Sequence, residues 1–320
     1  MKNLNDKSQA TLVGLLAVVF WSALVGLFRG VSEQQGAIGG AALIYTVAAL
    51  ILFPSVGPKK RAQWPSRQYV LIGGLLFVTY EICFALSIGF AQTSRQAIEV
   101  SMVNYLWPAM TMVFSIVLNK MRTNWLIVPG CLTSIFGVLW VLGGEQGVDM
   151  GEILANLRSN PLCYLFAFLG ALIWSFYCTI SVRISNGKNG IALFFALTSL
   201  VLWIKYWSLG MDTIALTAQA ILYVVLAGCA TSFGYAAWNV GMARGNVAIL
   251  TGSAYFIPVF SVVIAAQLLH TALPVAFWQG AALVCIGSLL CWVATRVRTP
   301  KITVVTPAAS AALHHTPTAG

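Results

Sequence analysis

One carboxylic acid stands in the middle of a long apolar stretch. Glu81 lies about midway along residues 69–91, and it is the only acid that the sequence places deep in such a stretch. An ionised carboxylate at the centre of a bilayer costs roughly 2.5–3.5 kcal/mol on insertion scales. Glu81 is therefore expected to face a wet cavity or a polar partner, or to stay protonated. It could bind an ammonium group, carry a proton, or simply hydrogen-bond a neighbouring helix as a neutral group.

Aromatic side chains with polar atoms occur at a similar depth. The O–H of Tyr and the N–H of Trp need a partner when buried, and lipid offers none, so these side chains should point into the protein. There they could stack on a planar ligand or hold an ammonium group by cation–π attraction. Packing between helices is the alternative for any one of them. The set comprises Trp21, Tyr80, Tyr105, Trp107, Trp174, Tyr177, Tyr235, Trp238 and Tyr255.

Two prolines interrupt apolar stretches close to these rings. Pro108 and Pro258 remove a backbone N–H and free the carbonyls near Asn104 and Ala254. A free carbonyl at membrane depth needs protein or water as a partner, and the amides of Asn104 and Asn239 are available. The two prolines are therefore predicted to kink their helices, either as hinges or as static bends.

The whole composition explains where these groups must lie. Of 320 residues, 59% are hydrophobic and only 8% charged, against about 25% charged in average soluble proteins. The chain is therefore interpreted as an all-α integral membrane protein. Its net charge of +10 comes from basic residues beside apolar stretches, as in cytoplasmic loops facing anionic lipid, so nucleic acid is not an expected partner. The seven cysteines fall within apolar stretches without a CxxC pair and are expected to pack as small apolar residues.

Spanning helices need about 20 mostly apolar residues, and the sequence predicts ten of them. With the N-terminus inside, all but four of the eighteen Lys and Arg fall on the cytoplasmic side, which places both termini there. Arg29, Arg95 and Arg244, near span ends, are expected to extend to the surface. Arg95 or Arg244 could instead bind a carboxylate at the mouth of a cavity. The predicted spans are 10–29, 35–54, 69–91, 97–118, 125–143, 161–182, 190–209, 214–242, 247–269 and 276–295.

The two halves of the chain resemble each other. Matching motifs recur in the same order, at separations that drift by only three residues. Because five is odd, two five-helix repeats must insert with opposite orientations. Inverted repeats are a hallmark of secondary transporters, which bind substrate at the repeat interface near the bilayer midplane. The matches are Trp21-Ser22 with Trp174-Ser175, Gly89 with Gly241, Tyr105-x-x-Pro108 with Tyr255-x-x-Pro258, and Gly130 and Gly137 with Gly280 and Gly287.

The predicted organisation follows from the spans and the repeat. Two five-helix repeats are joined by an outer connection, and short cytoplasmic segments lie at each end of the chain. The segments are an N-terminus at 1–9, a first repeat at 10–143, an outer connecting loop at 144–160, a second repeat at 161–295 and a disordered tail at 296–320.

These motifs resemble a known family. The paired Trp-Ser motifs and the paired proline-bearing spans in two five-helix halves are similar to the EamA type of the drug/metabolite transporter superfamily. Within it, the chain is most similar to the aromatic amino-acid exporters, over about residues 8–298. The stretches that carry this closer likeness are Phe77-Val-Thr-Tyr80-Glu81-Ile-Cys83, Ser101-Met-Val-Asn104-Tyr105-Leu-Trp107-Pro108 and Ala236-Ala-Trp238-Asn239-Val-Gly241.

The resemblance implies export of Phe, Tyr and Trp across a bacterial inner membrane, by alternating access around a central aromatic cavity. It places that cavity at Tyr80, Glu81, Tyr105, Trp107 and Trp174, with the repeat-related Trp21 and Tyr255. The nearby polar and aromatic residues complete the predicted substrate site, whereas the second half offers Phe233 where the first has Glu81. The added residues are Asn104, Tyr177, Trp238 and Asn239, with Pro108 and Pro258 as kinks or hinges.

Other functions find less support in the residues. No GxxxxGK[ST] motif indicates coupling to ATP, and the motifs of hydrolases and metalloenzymes are missing, so neither an enzyme nor a cofactor or metal site is predicted. A pore would need a continuous polar path, which the apolar spans do not offer. The serious alternative is another substrate, because aromatic rings and one carboxylate also suit planar cationic drugs or other metabolites. The expected partners are this small molecule and membrane lipid, and the oligomeric state stays open.

Overall fold

The computed structural model describes residues 2–55, 64–186, 188–210, 214 and 217–295. The predicted tail at 296–320 and the basic cluster at 59–61 lie outside these ranges. Within them the regular secondary structure is entirely helical. The helices are α1 (Lys2–Gln35), α2 (Ala37–Leu52), α3 (Gly74–Gly89), α4 (Ser94–Asn104), α5 (Trp107–Asn119), α6 (Ile127–Leu142), α7 (Met150–Ser159), α8 (Pro161–Ile184), α9 (Ile191–Ser208), α10 (Ala218–Arg244), α11 (Val247–Ala254), α12 (Ile257–Leu268) and α13 (Val275–Ala294).

Most of these helices can cross a bilayer. In the described ranges, seven helical stretches are long and apolar enough to do so, and three shorter apolar helices accompany them: α2, α6 and α12. The largest differences from the predicted boundaries are in the first span and the outer loop. Helix α1 covers Lys2–Gln35 and not 10–29, and α7 is a helix within the predicted outer loop. Helix α10 begins at Ala218 and not at 214. Asp149 caps α7 by accepting hydrogen bonds from the backbone of Gly151 and Glu152.

The two prolines divide their spans into separate helices. Helix α4 ends at Asn104 and α5 begins at Trp107, with Pro108 as its second residue. In the second half, α11 ends at Ala254 and α12 begins at Ile257, again with Pro258 second. A proline ring clashes with the carbonyl four residues earlier, and those carbonyls belong to the last residues of α4 and α11. The predicted kinks are therefore two-residue interruptions, at 105–106 and 255–256, which we call the proline breaks.

Helices α6 and α13 pack backbone against backbone. A Cβ atom on Gly137 would lie 2.7 Å from the carbonyl oxygen of Gly280, and one on Gly287 would lie 2.6 Å from that of Gly130. Only glycine permits such an approach. Because the lower-numbered glycine of α6 meets the higher-numbered glycine of α13, the two helices run antiparallel. We call this contact the glycine seam.

The bundle has two chemically different ends. Helix α2 ends and α9 begins at one end, beside Arg183 and Lys188, which we call the basic end. The other end carries α7 with Glu145, Asp149 and Glu152, and we call it the acidic end.

Arg29 and Glu99 are buried at the acidic end. Arg29 is only 8% exposed; it forms an ion pair with Glu33 and donates to the carbonyl oxygen of Ala91. The expectation that Arg29 extends to the surface is therefore wrong. Glu99 is also buried, between Arg95 Nε at 3.0 Å and the Tyr164 hydroxyl at 3.3 Å. Glu81 is thus not the only buried acid.

Candidate functional site

A cavity of about 160 Å³ lies in the middle of the bundle, between residues from both halves of the chain. We call it the central cavity. Its wall comes from α1, α3, α4, α5, α8, α10, α11 and α12, so the two helix breaks both border it. It is lined by Trp21, Leu24, Tyr80, Glu81, Phe84, Asn104, Tyr105, Trp107, Trp174, Cys178, Thr231, Tyr235, Trp238, Ala254 and Ile257.

Glu81 projects from α3 into this wall and is held by two tyrosines. Its side chain is only 4% exposed. The hydroxyl of Tyr45, from α2, donates to Oε2 at 2.8 Å, and the hydroxyl of Tyr235, from α10, donates to Oε1 at 2.9 Å. The ion pairs of the described residues involve other acids, so the carboxyl group has hydroxyl partners and no cation. A buried carboxyl without a cation is a natural site for a ligand ammonium group.

Stacked rings form the side of the cavity next to Glu81. The Trp174 indole lies 4.4 Å from the Tyr80 ring, nearly parallel to it, and it also stacks with Tyr177 at 5.1 Å. On the α1 side, Trp21 packs against Tyr235 at 5.3 Å and against Trp238 at 5.2 Å. These centroid distances are typical of aromatic pairs, so the cavity offers planar apolar faces beside its carboxyl group.

Two polar atoms in this wall have no hydrogen-bond partner among the described residues. They are the indole Nε1 of Trp21, a donor, and the side-chain Oδ1 of Asn104, an acceptor. An unsatisfied buried polar group costs about 1–3 kcal/mol. Trp21 Nε1 lies against Gly234 of α10 and Asn104 Oδ1 against Gly170 of α8, so both atoms face helix contacts and not the open space of the cavity.

A second and larger cavity opens toward the basic end. It has a volume of about 810 Å³ and lies between the end of α2, the beginning of α9 and α10. We call it the basic-end cavity. Tyr235 borders both cavities. Ligand sites commonly measure about 300–1,000 Å³, so the basic-end cavity has room for a small molecule, whereas the central cavity must expand to admit one.

Comparison with known proteins agrees with this architecture. The profile of the EamA-like transporter family matches residues 9–143. The aromatic amino acid exporter YddG of Salmonella typhimurium (strain 14028s / SGSC 2262) is 51% identical over 290 residues, which cover 91% of this chain and 99% of that protein. The chain belongs to the EamA-like transporter family.

Further relatives of this transporter extend the comparison. The aromatic amino acid exporter YddG of Escherichia coli (strain K12) is 50% identical over 290 residues, covering 91% of this chain and 99% of that protein. The one of Ancylobacter novellus is 28% identical over 273 residues, covering 80% and 87%. One crystal structure superposes with a TM-score of 0.64 at 22% identity, covering 91% of this chain and 99% of that chain, and it supports the fold.

Most of the residues predicted from the sequence line the central cavity of this transporter. They are Trp21, Tyr80, Glu81, Asn104, Tyr105, Trp107, Trp174 and Trp238. Three predicted residues lie elsewhere. Tyr177 stands behind Trp174 and shares a 3.1 Å hydrogen bond with Tyr69, Asn239 lines the basic-end cavity, and Tyr255 packs on Trp292 with ring centroids 5.9 Å apart.

The site of this EamA-like transporter also contains residues that sequence reasoning missed. Tyr45 belongs to an apolar helix without a motif, and only the fold brings it to Glu81 across 36 residues of sequence. Tyr235 was noted only as one of several deep aromatic residues, although it alone borders both cavities and binds Glu81. The sequence feature that could have identified both residues is the tyrosine hydroxyl, because a tyrosine buried at membrane depth requires a hydrogen-bond partner.

Proposed function

We propose that this transporter exports aromatic amino acids. The observation that carries the proposal is a buried carboxyl without a cation, Glu81, set among stacked aromatic rings in the central cavity. The names of relatives that match nearly their full length support the same substrate class.

Two parts of an aromatic amino acid have matching groups in the central cavity. Its ammonium group binds Glu81, and its ring stacks beside Trp174 and Tyr80. The Tyr235 hydroxyl yields Glu81 Oε1 to the ammonium group, which exchanges a neutral donor for a charged and stronger one.

Alternating access between two inverted five-helix repeats is the proposed mechanism, with residues 10–143 and 161–295 as the repeats. Three features support it: the antiparallel glycine seam between α6 and α13, the proline breaks at equivalent places in both halves, and a family match that ends at residue 143. The excess of Lys and Arg next to the basic end supports cytoplasmic termini in a bacterial inner membrane.

Counterflow in proteoliposomes tests the function. Vesicles are loaded with unlabelled phenylalanine, tryptophan or a quaternary ammonium dye, and entry of trace labelled phenylalanine is followed. Accelerated entry with either amino acid is the expected result, since a carrier returns loaded faster than empty. Acceleration by the dye alone would assign the site to planar cations, and the absence of acceleration with folded protein would contradict the proposal.

A further inference from the structure

Helices α2 and α9 cross at one polar contact. The hydroxyls of Thr46 and Ser199 lie 2.8 Å apart, and the Trp203 indole N–H donates to Thr46 Oγ1 at 3.0 Å. Thr46 and Ser199 are 153 residues apart, which is also the separation of Trp21 and Trp174 in the two halves of the sequence. Equivalent residues of the two halves therefore meet at the crossing.

On the acidic side of this crossing the two helices are in close contact. Gly39, seven residues before Thr46, lies against the ring of Tyr206, seven residues after Ser199. A Cβ atom on Gly39 would be only 2.8 Å from Tyr206 Cε2, so the helices could not approach more closely here.

On the basic side the corresponding positions carry a similar pair of residues, and here the pair lines an open cavity. Phe53 follows Thr46 by seven residues and Ala192 precedes Ser199 by seven, so an aromatic ring again stands opposite a small residue. Both residues line the basic-end cavity, and the Phe53 side chain is 71% exposed. The ring and the small residue are thus available for the contact that Tyr206 and Gly39 make at the other end.

The basic-end cavity has the properties of a loading site for an aromatic amphipathic molecule. Its volume of about 810 Å³ falls within the usual range of ligand sites. It presents the rings of Phe53 and Trp64 with the amides of Asn189 and Asn239, and none of the described residues in its lining is acidic or basic. Tyr235 belongs to both linings, so it lies between a molecule bound here and the central cavity that contains Glu81.

We propose that the basic-end cavity is the site where the aromatic amino acid is loaded, and that it closes when Phe53 packs on Ala192. This inference rests on the proposed function for the identity of the occupant. Because the two helices touch at Thr46 and Ser199, a rotation about that point that closes one end parts the other. Closing the cavity therefore separates Gly39 from Tyr206 and opens the acidic end.

Cysteine pairs at the two ends test this proposal. The Phe53→Cys/Ala192→Cys and Gly39→Cys/Tyr206→Cys variants are reconstituted and treated with a short bifunctional methanethiosulfonate reagent, with and without phenylalanine. The reagent spans the gap left by the removed ring, so the 39–206 pair should cross-link first, since the Tyr206 ring alone separates those positions. The 53–192 pair should cross-link more slowly and faster when phenylalanine drives the cycle, and transport should fall in proportion to the cross-linked fraction and return on reduction.

The controls use the native chain and the single variants. Cys131 and Cys291 have thiols 3.6 Å apart, so treated wild-type protein gives the background, and peptide mapping identifies each cross-link. Phe53→Cys and Ala192→Cys alone should each transport at the same rate before and after treatment, because neither can form the cross-link. Full transport by the cross-linked 53–192 protein, or failure of that pair to react where the 39–206 pair does, would overturn the proposal.

A second variant tests the loading site without a cross-link. Ala192→Trp fills the cavity and should raise the KM for phenylalanine entering from the basic end, with little change from the acidic end. Equal effects from both ends would count against a loading site. If wild-type vesicles show no phenylalanine counterflow, the proposed function fails, and the closing contact is still judged by cross-linking alone.

Discussion

The Tyr235 hydroxyl donates to Glu81 Oε1 at 2.9 Å and so joins α10 to α3, two helices from opposite halves of the chain. The other carboxyl oxygen is taken by Tyr45 at 2.8 Å. The acid is therefore fixed from two sides, and only Tyr235 among its hydroxyl partners borders the cavities. Tyr45 therefore holds Glu81 in place, whereas Tyr235 holds it and also contacts the substrate in the proposed scheme.

Replacing Glu81 by Gln should weaken substrate binding while preserving the shape of the site. Charge-assisted hydrogen bonds contribute about 1.5–3 kcal/mol, so the KM for phenylalanine should rise roughly tenfold or more. Counterflow by Glu81→Gln and wild-type protein at several pH values measures this effect. Wild-type rates at every pH would eliminate both an ammonium contact and a proton carrier at this position.

The variants Tyr45→Phe and Tyr235→Phe form a matched pair. Each removes one hydroxyl from Glu81, so each should lower the free energy of unfolding by about 1–3 kcal/mol. Only Tyr235→Phe should also change the KM for phenylalanine, because Tyr45 is not part of either cavity lining. Thermal unfolding in detergent and counterflow give the two readouts. Equal changes of KM in both variants would show that Tyr235 has no separate contact with the substrate.

Trp174 should determine the preference for aromatic substrates. Its indole stacks on Tyr80 at 4.4 Å and borders the central cavity. An aromatic pair contributes about 0.5–1.5 kcal/mol beyond its buried area, so Trp174→Leu should raise the KM for phenylalanine about twofold to tenfold, and Trp174→Phe should restore most of the loss. Competition assays with phenylalanine measure the affinity of both variants and of wild-type protein. Equal affinities would show that the Trp174 ring does not contribute to substrate recognition.

The glycine seam should be essential for stability and not for recognition. The Cβ of Gly137→Ala would lie 2.7 Å from a backbone oxygen of α13, which cannot yield as a side chain can. Overpacking of this kind costs about 1–3 kcal/mol, so the Tm should fall while the KM stays unchanged. Gly252→Ala is the control, because its Cβ would meet only Trp292 at an ordinary 3.5 Å. A similar Tm for both variants would contradict this account.

The proline breaks should affect turnover more than binding if they are hinges. Pro108→Ala restores the N–H that a continuous helix needs, which should stiffen the junction between α4 and α5. The expected result is a lower maximal rate of counterflow with a nearly unchanged KM, and Pro258→Ala should act in the same direction. An unchanged maximal rate in both variants would identify the breaks as static.

Local rules predicted the helical class and the kinks at the two prolines, and they also indicated Glu81. Apolar length defines a spanning segment, and a proline acts on the carbonyl four residues before it, so both features can be deduced from neighbouring residues. Most of the predicted aromatic residues line the central cavity for a similar reason, since polar atoms of Tyr and Trp avoid lipid.

Such local rules could not predict contacts between helices that are distant in the sequence. Tyr45 reaches Glu81 because α2 packs beside α3, and Arg29 is buried because the carbonyl of Ala91 accepts from it across 62 residues. Span ends in the sequence carry no sign of such partners. The basic-end cavity escaped detection because it is defined by the relative position of α2 and α9 and by no motif of its own.

The glycine seam also sets an order for biosynthesis. Helix α6 ends at Leu142 and its partner α13 begins at Val275. At about 5–20 residues per second of translation, the ribosome needs roughly 7–27 s to make the intervening chain. During that interval the glycine face of α6 must remain in the lipid without its partner. Final assembly of the bundle therefore waits for the last helix, and a chain truncated before Val275 would leave that face permanently open to the quality-control proteases of the membrane.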